Sequence, residues 1–232
     1  MTAYVCPMYS SNAIVVPAFN EETTIQSIVN SVSYAGDVIV IDDGSSDSTA
    51  SRALESGAIV VSHSSNAGYD AAIESGLRKA ESLGKSTAIT FDADGQHDPQ
   101  VLDIVLKCLY KDGCELVVGV RPTTARWAES VFNAYVSNRF GVFDILCGLK
   151  GYKLDLYRAA GSFSDGRSIG TALALYGLRR GVSTATVRVD IRERNDSPRF
   201  GSGSRANIRI IRAFISALET DLKFCWKMRG SC

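Results

Sequence analysis

The chain has 232 residues, of which 45% are hydrophobic and 22% are charged, and its formal net charge is zero. This composition predicts one globular domain over 1–232 with a full hydrophobic core, and a chain without net charge gives no reason to expect nucleic acid as a partner. No signal peptide and no run of 18 or more apolar residues is visible, which excludes a predicted membrane span.

The charges are distributed unevenly between the two halves. Residues 1–120 hold 6 Lys or Arg and 16 Asp or Glu, whereas 121–232 hold 19 and 9. An acidic half suits a metal ion and a basic half suits phosphates or an anionic surface, although opposite halves can also simply attract each other. The six cysteines match neither a zinc pattern nor a dense disulfide framework. We therefore expect a reducing, cytoplasmic location, with peripheral contact to the cytoplasmic face of a membrane as an alternative.

The first half alternates short apolar runs with amphipathic segments. Predicted strands cover 13–16, 37–43, 58–61 and 88–91. Helices are predicted after each of the first three strands, beginning with one that Asn20 caps. Because each strand is an almost continuous apolar run, the pattern indicates an α/β fold whose mostly parallel sheet is covered by helices on both faces.

Polar residues stand where three of these strands end. They are Asn20 and Glu21, then Asp42 and Asp43, and finally Asp92 and Asp94. Open α/β sheets bind their ligands outside the carboxyl ends of the strands, so agreement among three strand ends predicts one site.

The stretch Thr87–Pro99 is the most informative of the three. Its strand ends in Asp92-Ala93-Asp94, and since a strand has a side-chain period of two, both carboxylates leave on the same face. Carboxylates this close repel each other unless a cation lies between them. Mg²⁺ and Mn²⁺ prefer oxygen ligands, which they share with substrate phosphates, and Gln96 offers another oxygen. The stretch predicts a metal–diphosphate site, although an acidic turn into a helix capped by Asp98 would explain the same residues.

The second half is less regular. The predicted helices cover 99–112, 126–140, 170–180 and 207–228, and the predicted strands cover 115–121 and 182–194, with a strand or turn over 144–152. Apolar and polar residues alternate over 182–194, which indicates a half-exposed strand. The segment 195–206 is rich in Gly and Ser and is predicted to be a functional loop.

The final helix, 207–228, is amphipathic. Its apolar face contains Ile208, Ile211, Ile215, Leu218 and Leu222, and basic residues flank that face. We expect this face to pack on the domain or to form a homodimer. The alternatives are a membrane partner subunit and a position in a membrane interface.

Three blocks of the first half carry a family resemblance. Val16–Glu22, Val40–Asp47 and Phe91–Pro99 resemble, in order and spacing, the signature blocks of family 2 glycosyltransferases of the GT-A fold. Asp144–Lys150 and Arg199–Arg205 resemble two blocks of the polyprenyl-phosphate branch of that family, typified by dolichyl-phosphate mannose synthases.

The resemblance implies a GT-A (Rossmann-like) fold with a twisted sheet. Together with the charge distribution and the apolar periodicity of the last segment, it divides the single domain into an acidic nucleotide and metal half (1–120), a basic acceptor half (121–206) and a C-terminal amphipathic helix (207–232). It also implies roles for individual residues. The residues implied for nucleotide-sugar binding are Pro17, Phe19, Glu21, Asp42, Asp43, Gly68 and Asp92, and those implied for binding Mg²⁺ or Mn²⁺ are Asp92, Asp94 and Gln96. The residues implied for binding the acceptor phosphate are Arg121, Arg126, Ser204 and Arg205. The residues implied for catalysis are Asp94, Arg121 and Arg205. Lys150 stands where the branch usually has arginine, and Tyr69-Asp70 stands where a basic residue is common, which leaves the donor sugar open.

The expected reaction is an inverting, metal-dependent transfer of a hexose from GDP-mannose or a UDP-hexose to a polyprenyl (dolichyl or undecaprenyl) phosphate at a membrane surface. A hydroxyl acceptor would require a general base, for which the sequence offers Asp165, whereas a phosphate monoester is already largely dianionic near neutral pH. The basic second half favours the phosphate. His97 is predicted to position the metal turn rather than to act as a base.

Several other functions are weighed against this one. Transfer to a saccharide hydroxyl and a non-catalytic nucleotide-sugar-binding module both remain open. A sugar nucleotidyltransferase should show a Gly-rich basic loop after the first strand, where this chain has the acidic block Pro17–Glu22. A phospho-acceptor signalling domain would leave Asp92 and Asp94 unexplained.

Overall fold

The structure is a computed structural model that describes residues 10–124, 126–191 and 204–229. Within them, seven strands form one sheet in the order β3-β2-β1-β4-β6-β5-β7. The strands are β1 (Asn12–Ala18), β2 (Asp37–Asp42), β3 (Ile59–Ser62), β4 (Thr87–Thr90), β5 (Leu116–Val120), β6 (Lys150–Lys153) and β7 (Thr184–Arg188). Strand β6 runs antiparallel to β4 and β5, and the other pairs are parallel. The mostly parallel sheet is confirmed.

The helices cover both faces of this sheet. They are α1 (Ile25–Val32), α2 (Thr49–Glu55), α3 (Tyr69–Ser82), α4 (Val101–Tyr110), α5 (Trp127–Phe140), α6 (Leu154–Ala160), α7 (Ala172–Arg180) and α8 (Ser204–Arg229). Side chains of β1 alternate between the two layers: Ala13 and Val15 pack with α3, whereas Ile14 and Val16 pack with α1 and α4. A methyl group at Gly76 would lie 2.2 Å from a Val15 methyl, so this glycine lets α3 approach β1 closely.

Several predicted boundaries are wrong. The predicted strand or turn over 144–152 is a loop that becomes β6 only at Lys150, and helix α6, which follows at once, was not predicted. The predicted strand over 182–194 ends at Arg188, although Val187 and Val189 are buried as its alternation requires. Within the described residues it lies at the edge of the sheet and pairs with β5, which explains its half-exposed pattern; residues 192–194 of the prediction lie outside the described range.

Asn20 does not cap the first helix. That helix begins at Ile25, after Thr24. Asn20 instead adopts a left-handed backbone conformation (φ 53°), which asparagine tolerates better than most residues. Its side chain accepts a hydrogen bond from the Ser46 N–H at 2.8 Å, so it joins the ends of β1 and β2. Asp98 accepts a hydrogen bond from the Gln100 N–H, but α4 begins only at Val101.

The C-terminal helix packs through a face that overlaps the predicted one only in part, since Ile211 of the predicted face is partly buried against the core. It begins at Ser204, and its buried face consists of Ala206, Ile210, Ala213 and Ala217. These mostly small residues allow close packing, and Phe214 contacts the rings of Phe132 and Tyr135 on α5. Asp221 on the same helix bonds to Tyr135 and Arg179.

Three of the five residues predicted on the apolar face of α8 are exposed, whereas Ile211 and Leu218 are partly buried. Ile208, Ile215 and Leu222 are 51%, 47% and 73% exposed. Because they are seven residues apart, they form one stripe along the helix, which we call the α8 stripe. In the described parts of the chain, no helix combines the length and the apolar character needed to cross a membrane.

Candidate active site

The site lies at the edge of the sheet where β2, β1 and β4 end side by side. At the end of β1, the Asn20 N–H donates to Ser45 Oγ at 2.9 Å, and the Glu21 N–H donates to Thr49 Oγ1 at 2.8 Å. Glu21 is buried and accepts a hydrogen bond from Thr24. Pro17 and Phe19 are partly exposed at this edge. The first two signature blocks are thus bonded to each other, as adjacent parallel strands allow.

Asp42 and Asp43 have different surroundings. Asp42 is buried and accepts a hydrogen bond from the Ser45 N–H at 3.1 Å, within its own turn. Asp43 accepts hydrogen bonds from the N–H groups of Ala67 and Gly68, both at 2.8 Å. Gly68 (φ 93°) adopts a backbone conformation that favours glycine. Asp43 therefore connects the end of β2 to the loop before α3.

The two carboxylates predicted to bind a metal ion, those of Asp92 and Asp94, follow β4. Asp92 is 28% exposed, and its Oδ2 lies 3.3 Å from Nε2 of His97. Asp94 is also partly exposed and accepts a hydrogen bond from the Gln96 N–H at 3.1 Å. Among the described residues, Nδ1 of the buried His97 ring has no hydrogen-bond partner, and Nε2 is the ring nitrogen that faces Asp92. This geometry supports the predicted positioning role of His97.

Charges around Asp92 favour its ionised form. Burial alone would raise its pKa, but the His97 hydrogen bond and the nearby charges of His97, Lys150 and Arg121 lower it below the ordinary value. Lys150 is buried beneath the site, where burial lowers its pKa, and its ammonium group donates to the carbonyl of Cys147.

The loop before β6 touches Asp92 directly. Thr90 donates to the Gly148 carbonyl at 2.6 Å and fixes this loop against β4. A methyl group at Gly148 would lie 2.1 Å from Asp92 Oδ2, which is far inside van der Waals contact. Only glycine at this position leaves the Asp92 carboxylate where it is.

We expect Gly148→Ala to reduce activity far more than stability. The new methyl group must displace the Asp92 carboxylate, and misplacement of a reacting group by about 1 Å can cost on the order of 100-fold in rate. Steady-state kinetics and thermal unfolding of the same samples measure the two effects. Gly177→Ala is the matched control, because its methyl group would meet only side-chain ends, at 3.1 Å, away from the site. Equal losses of activity in both variants would contradict this prediction.

The donor set fits a divalent cation that shares its ligands with a substrate. Within the part of the chain that the structure describes, no three His, Cys, Asp or Glu side chains are grouped as a complete metal cage. Asp92 and Asp94 are hard oxygen donors, and Mg²⁺ typically combines one or two carboxylates with phosphate oxygens and water. Gln96 lies beside them and is partly exposed.

Arg121 belongs to a buried ionic network rather than to an open basic patch. Its Nε and Nη2 atoms donate to both oxygens of Asp144, at 2.7 and 2.9 Å, and Nη2 also contacts Glu129 at 3.2 Å. Arg126 bonds to the other oxygen of Glu129 at 2.9 Å, and Asn133 donates to Asp144 at 3.2 Å. The two arginines predicted to bind acceptor phosphate are thus already paired with two carboxylates.

The remaining predicted residues lie elsewhere. Ser204 and Arg205 are exposed in the first turn of α8, and residues 192–203, which include most of the predicted loop 195–206, lie outside the described residues. No hydrogen bond or ion pair described within 10–124, 126–191 and 204–224 joins them to Asp92 or Asp94.

Asp165 accepts hydrogen bonds from the N–H groups of Arg167 and Ser168 and from Ser216 on α8, and these donors lower its pKa against the opposing effect of burial.

Comparison with known proteins places the chain in a family. The family model for glycosyl transferase family 2 matches residues 13–132, which includes all three signature blocks. The chain belongs to glycosyl transferase family 2. This match confirms the family resemblance predicted from the motifs.

Relatives within glycosyl transferase family 2 differ in how much they share with the chain. The polyprenol monophosphomannose synthase of Mycolicibacterium smegmatis is 29% identical over 220 residues, covering 84% of this chain and 82% of that protein. The UDP-N-acetylglucosamine–dolichyl-phosphate N-acetylglucosaminyltransferase of Methanococcus voltae is 35% identical over 127 residues, covering 47% and 51%. The chain thus aligns with about half the length of that relative, and with 45% of an uncharacterised Methanocaldococcus jannaschii protein.

Solved structures confirm the GT-A-like architecture expected for glycosyl transferase family 2. Glucosyl-3-phosphoglycerate synthase from Mycobacterium tuberculosis, in complex with Mg²⁺ and UDP, superposes with a TM-score of 0.71 at 22% identity, covering 90% of this chain and 79% of that one. The same enzyme has been crystallised with Mn²⁺, UDP and phosphoglyceric acid, and superposes with a TM-score of 0.69 at 20% identity.

Some residues of the site escaped the sequence motifs. Glu129 lies outside the predicted blocks, whereas Asp144 and Gly148 belong to the block Asp144–Lys150. No local pattern indicates the contacts that Gly148 makes with Asp92 and that Asp144 makes with Arg121. Asp70 is another example: it binds Ser164, Ser168 and the Gly170 N–H, and so joins α3 to the loop before α7. The only available signal was its unusual position directly after the Asn66–Gly68 block.

Proposed function

We propose that this chain transfers a hexose, with inversion, from a nucleoside-diphosphate sugar to a polyprenyl phosphate. The observation that carries the proposal is the incomplete metal site at the end of β4. Asp92 and Asp94 supply two carboxylates without a third grouped acidic, His or Cys ligand in the described chain, so a substrate diphosphate is suited to complete the coordination shell. Two relatives named for transfer to dolichyl phosphate and polyprenol phosphate support the acceptor class.

In this proposal each residue near β4 has a defined task. Asp92 and Asp94 hold Mg²⁺ or Mn²⁺, with Gln96 beside them, and the ion neutralises charge on the leaving diphosphate. His97 orients Asp92 from below. The blocks at the ends of β1 and β2, with Pro17, Phe19, Glu21 and Asp42, bind the nucleoside. Arg121 binds the acceptor or leaving phosphate through Nη1, because its other nitrogens are bonded to Asp144 and Glu129.

A phosphate acceptor agrees better with the contacts than a hydroxyl acceptor. A hydroxyl must lose a proton, whereas a phosphate monoester already carries about −1.5 to −2 charges at pH 7. Asp165, the predicted base for a hydroxyl acceptor, receives two hydrogen bonds from backbone N–H groups of its own loop and one from Ser216 on α8. Its contacts therefore favour a structural role. The donor stays open between GDP-mannose and a UDP-hexose, since relatives are named for both mannose and N-acetylglucosamine.

The α8 stripe supports a peripheral position on an anionic membrane surface, where a polyprenyl phosphate would be presented. Arg205 and Arg212 each lie three residues before a stripe residue, Ile208 and Ile215, and so about 60° from it around the helix axis at 100° per residue. An exposed apolar stripe bordered by cations is typical of helices that lie in a bilayer interface.

We expect the double variant Ile215→Ser/Leu222→Ser to bind anionic vesicles at least about tenfold more weakly, because each buried aliphatic side chain contributes about 1.5–3 kcal/mol. Flotation with phosphatidylglycerol and with phosphatidylcholine vesicles measures the change. Leu54→Ser is the control, since Leu54 is 64% exposed on α2 in the acidic half. Unchanged vesicle binding together with a changed oligomeric state would assign the stripe to a second copy of the chain instead.

The decisive test of the proposed function is a ligand panel followed by a transfer assay. Thermal unfolding is measured with GDP, UDP and their sugars, with and without Mn²⁺. A ligand at about a hundred times its dissociation constant should stabilise the protein by roughly 2.7 kcal/mol. Metal-dependent stabilisation by one nucleotide, and transfer of its sugar to undecaprenyl or dolichyl phosphate, would support the proposal. Transfer only to a saccharide hydroxyl, or no response to any nucleotide, would contradict it.

A further inference from the structure

Both oxygens of the Asp43 carboxylate are occupied. Oδ1 receives the Ala67 N–H at 2.8 Å and lies 2.7 Å from Nδ1 of His63, and Oδ2 receives the Gly68 N–H at 2.8 Å. Asp43 is buried. A buried carboxylate that already accepts three hydrogen bonds is better suited to holding its own donors than to binding a nucleoside base.

His63 is held from two sides. It follows β3, where its N–H donates to the Asp42 carbonyl at 2.9 Å, and its Nε2 lies 2.9 Å from Oγ of Ser75 on α3. An ionised carboxylate can only accept, so Nδ1 of His63 must carry the proton that faces Asp43. In the neutral ring, Nε2 then accepts the Ser75 hydroxyl proton. Ser75 thereby favours the tautomer that Asp43 needs.

The order Asp43–His63–Ser75 resembles a hydrolytic triad, but the setting is unsuitable for one. Ser75 lies in the middle of α3 (Tyr69–Ser82), where helical hydrogen bonds use the backbone N–H groups that would have to form an oxyanion hole. A nucleophilic serine normally stands on an exposed turn. The geometry instead indicates that Ser75 and His63 orient the Asp43 carboxylate, which in turn binds the loop Asn66–Gly68.

We infer that His63 is a positioning residue for the donor nucleotide. It orients Asp43, and Asp43 fixes the loop Asn66–Gly68 beside the nucleotide edge of the sheet. The loop also packs against the turn after β2, since a methyl group at Gly44 would lie 2.6 Å from the Ser65 carbonyl carbon. This inference rests on the proposed function, because it assumes that the edge formed by β1 and β2 binds a nucleoside diphosphate.

Two substitutions separate the two hydrogen bonds of the imidazole ring. In His63→Asn the amide nitrogen can take the place of Nδ1, so the bond to Asp43 is kept and the bond to Ser75 is lost. In His63→Gln the longer side chain can reach Ser75 in place of Nε2, while the donor beside Asp43 is lost. The two variants remove similar amounts of ring packing, so each serves as the other's control for stability.

The experiment is calorimetric titration of each variant with UDP and with GDP in the presence of Mn²⁺, alongside amide hydrogen exchange of the segment 66–68. We expect His63→Gln to raise the dissociation constant of the nucleotide that binds wild type about fivefold to tenfold, which is the usual effect of one lost hydrogen bond, and to speed exchange of this segment. His63→Asn should stay within about twofold of wild type in both measurements. In turnover, His63→Gln should raise the donor KM and leave the acceptor KM unchanged.

Equal effects of the two variants, on affinity or on exchange, would overturn the inference, because a purely structural histidine would make both variants behave alike. Normal nucleotide binding by His63→Gln would overturn it as well, and would leave the proposed function intact. A wild-type protein that binds neither nucleotide would overturn the proposed function first, and this inference with it.

Discussion

Asp94→Asn should lower kcat/KM by on the order of 1000-fold and leave the fold unchanged. Loss of an outer-shell partner of a metal site already costs roughly 10–100-fold, so loss of a direct ligand should cost more. The amide oxygen of asparagine can still accept the Gln96 N–H that Asp94 accepts at 3.1 Å, so the turn should keep its shape. Asparagine removes the charge that attracts the cation, and that difference should appear as lost activity.

The measurement is steady-state transfer over a series of Mn²⁺ concentrations, with thermal unfolding of the same samples. Asp103→Asn is the matched control, because Asp103 is an exposed acid on the following helix. High Mn²⁺ should restore part of the activity of Asp94→Asn if metal affinity is the main loss. Wild-type turnover by this variant would show that the carboxylates at the end of β4 are not the metal site.

Arg121→Met should destabilise the protein by about 3 kcal/mol, the lower end of the range for breaking a buried ion pair. The change leaves Asp144, which is almost fully buried, and Glu129 without their shared cation. The pairing favours charge on both partners. Although burial acts in the opposite direction, the hydrogen bonds and charge of Arg121 lower the pKa of Asp144, and Asp144 raises the pKa of Arg121.

Urea unfolding of four proteins tests this prediction: wild type, Arg121→Met, Asp144→Asn and the double variant. The double variant should be more stable than the sum of the single losses predicts, since it leaves no unpaired charge on Asp144. Arg158→Met provides the control for an exposed arginine, which bonds Glu81 and Asp155 at the surface and should lose less than about 1 kcal/mol. Equal losses at positions 121 and 158 would contradict the assignment of a buried network.

The same pair predicts how stability depends on pH. The folded-state pKa of Asp144 is lowered, so its contribution to stability is fully present above the unfolded-state pKa of about 3.9 and is lost as pH falls through the folded-state value. Asp144→Asn should flatten the acid side of the stability profile. If Asp144→Asn loses stability at low pH as steeply as wild type, other carboxylates determine the acid side of the stability profile.

The sequence by itself determined the parallel half of the fold and the acidic ends of its strands. Each strand from β1 to β4 is a local apolar run, and its polar end follows within one or two residues, so short-range pattern suffices. The family was also predicted from the sequence, by the three blocks Val16–Glu22, Val40–Asp47 and Phe91–Pro99. The predicted mostly parallel α/β sheet with helices on both faces was confirmed, because it depends on the same short-range apolar runs.

Only the tertiary structure decided which partners these residues meet. The close approach of Gly148 to Asp92, the pairing of Arg121 with Asp144 and the bonds from Asp43 to residues 67 and 68 all join segments at least 20 residues apart. The face of α8 that packs was predicted only in part, since Ile211 packs against the core but Ile208, Ile215 and Leu222 are exposed. Two stripes of that helix are apolar, and the contact with α5 selects the one with small residues, Ala206, Ala213 and Ala217, because it allows the backbones to approach. Local periodicity describes one element at a time, whereas packing depends on the shapes of two.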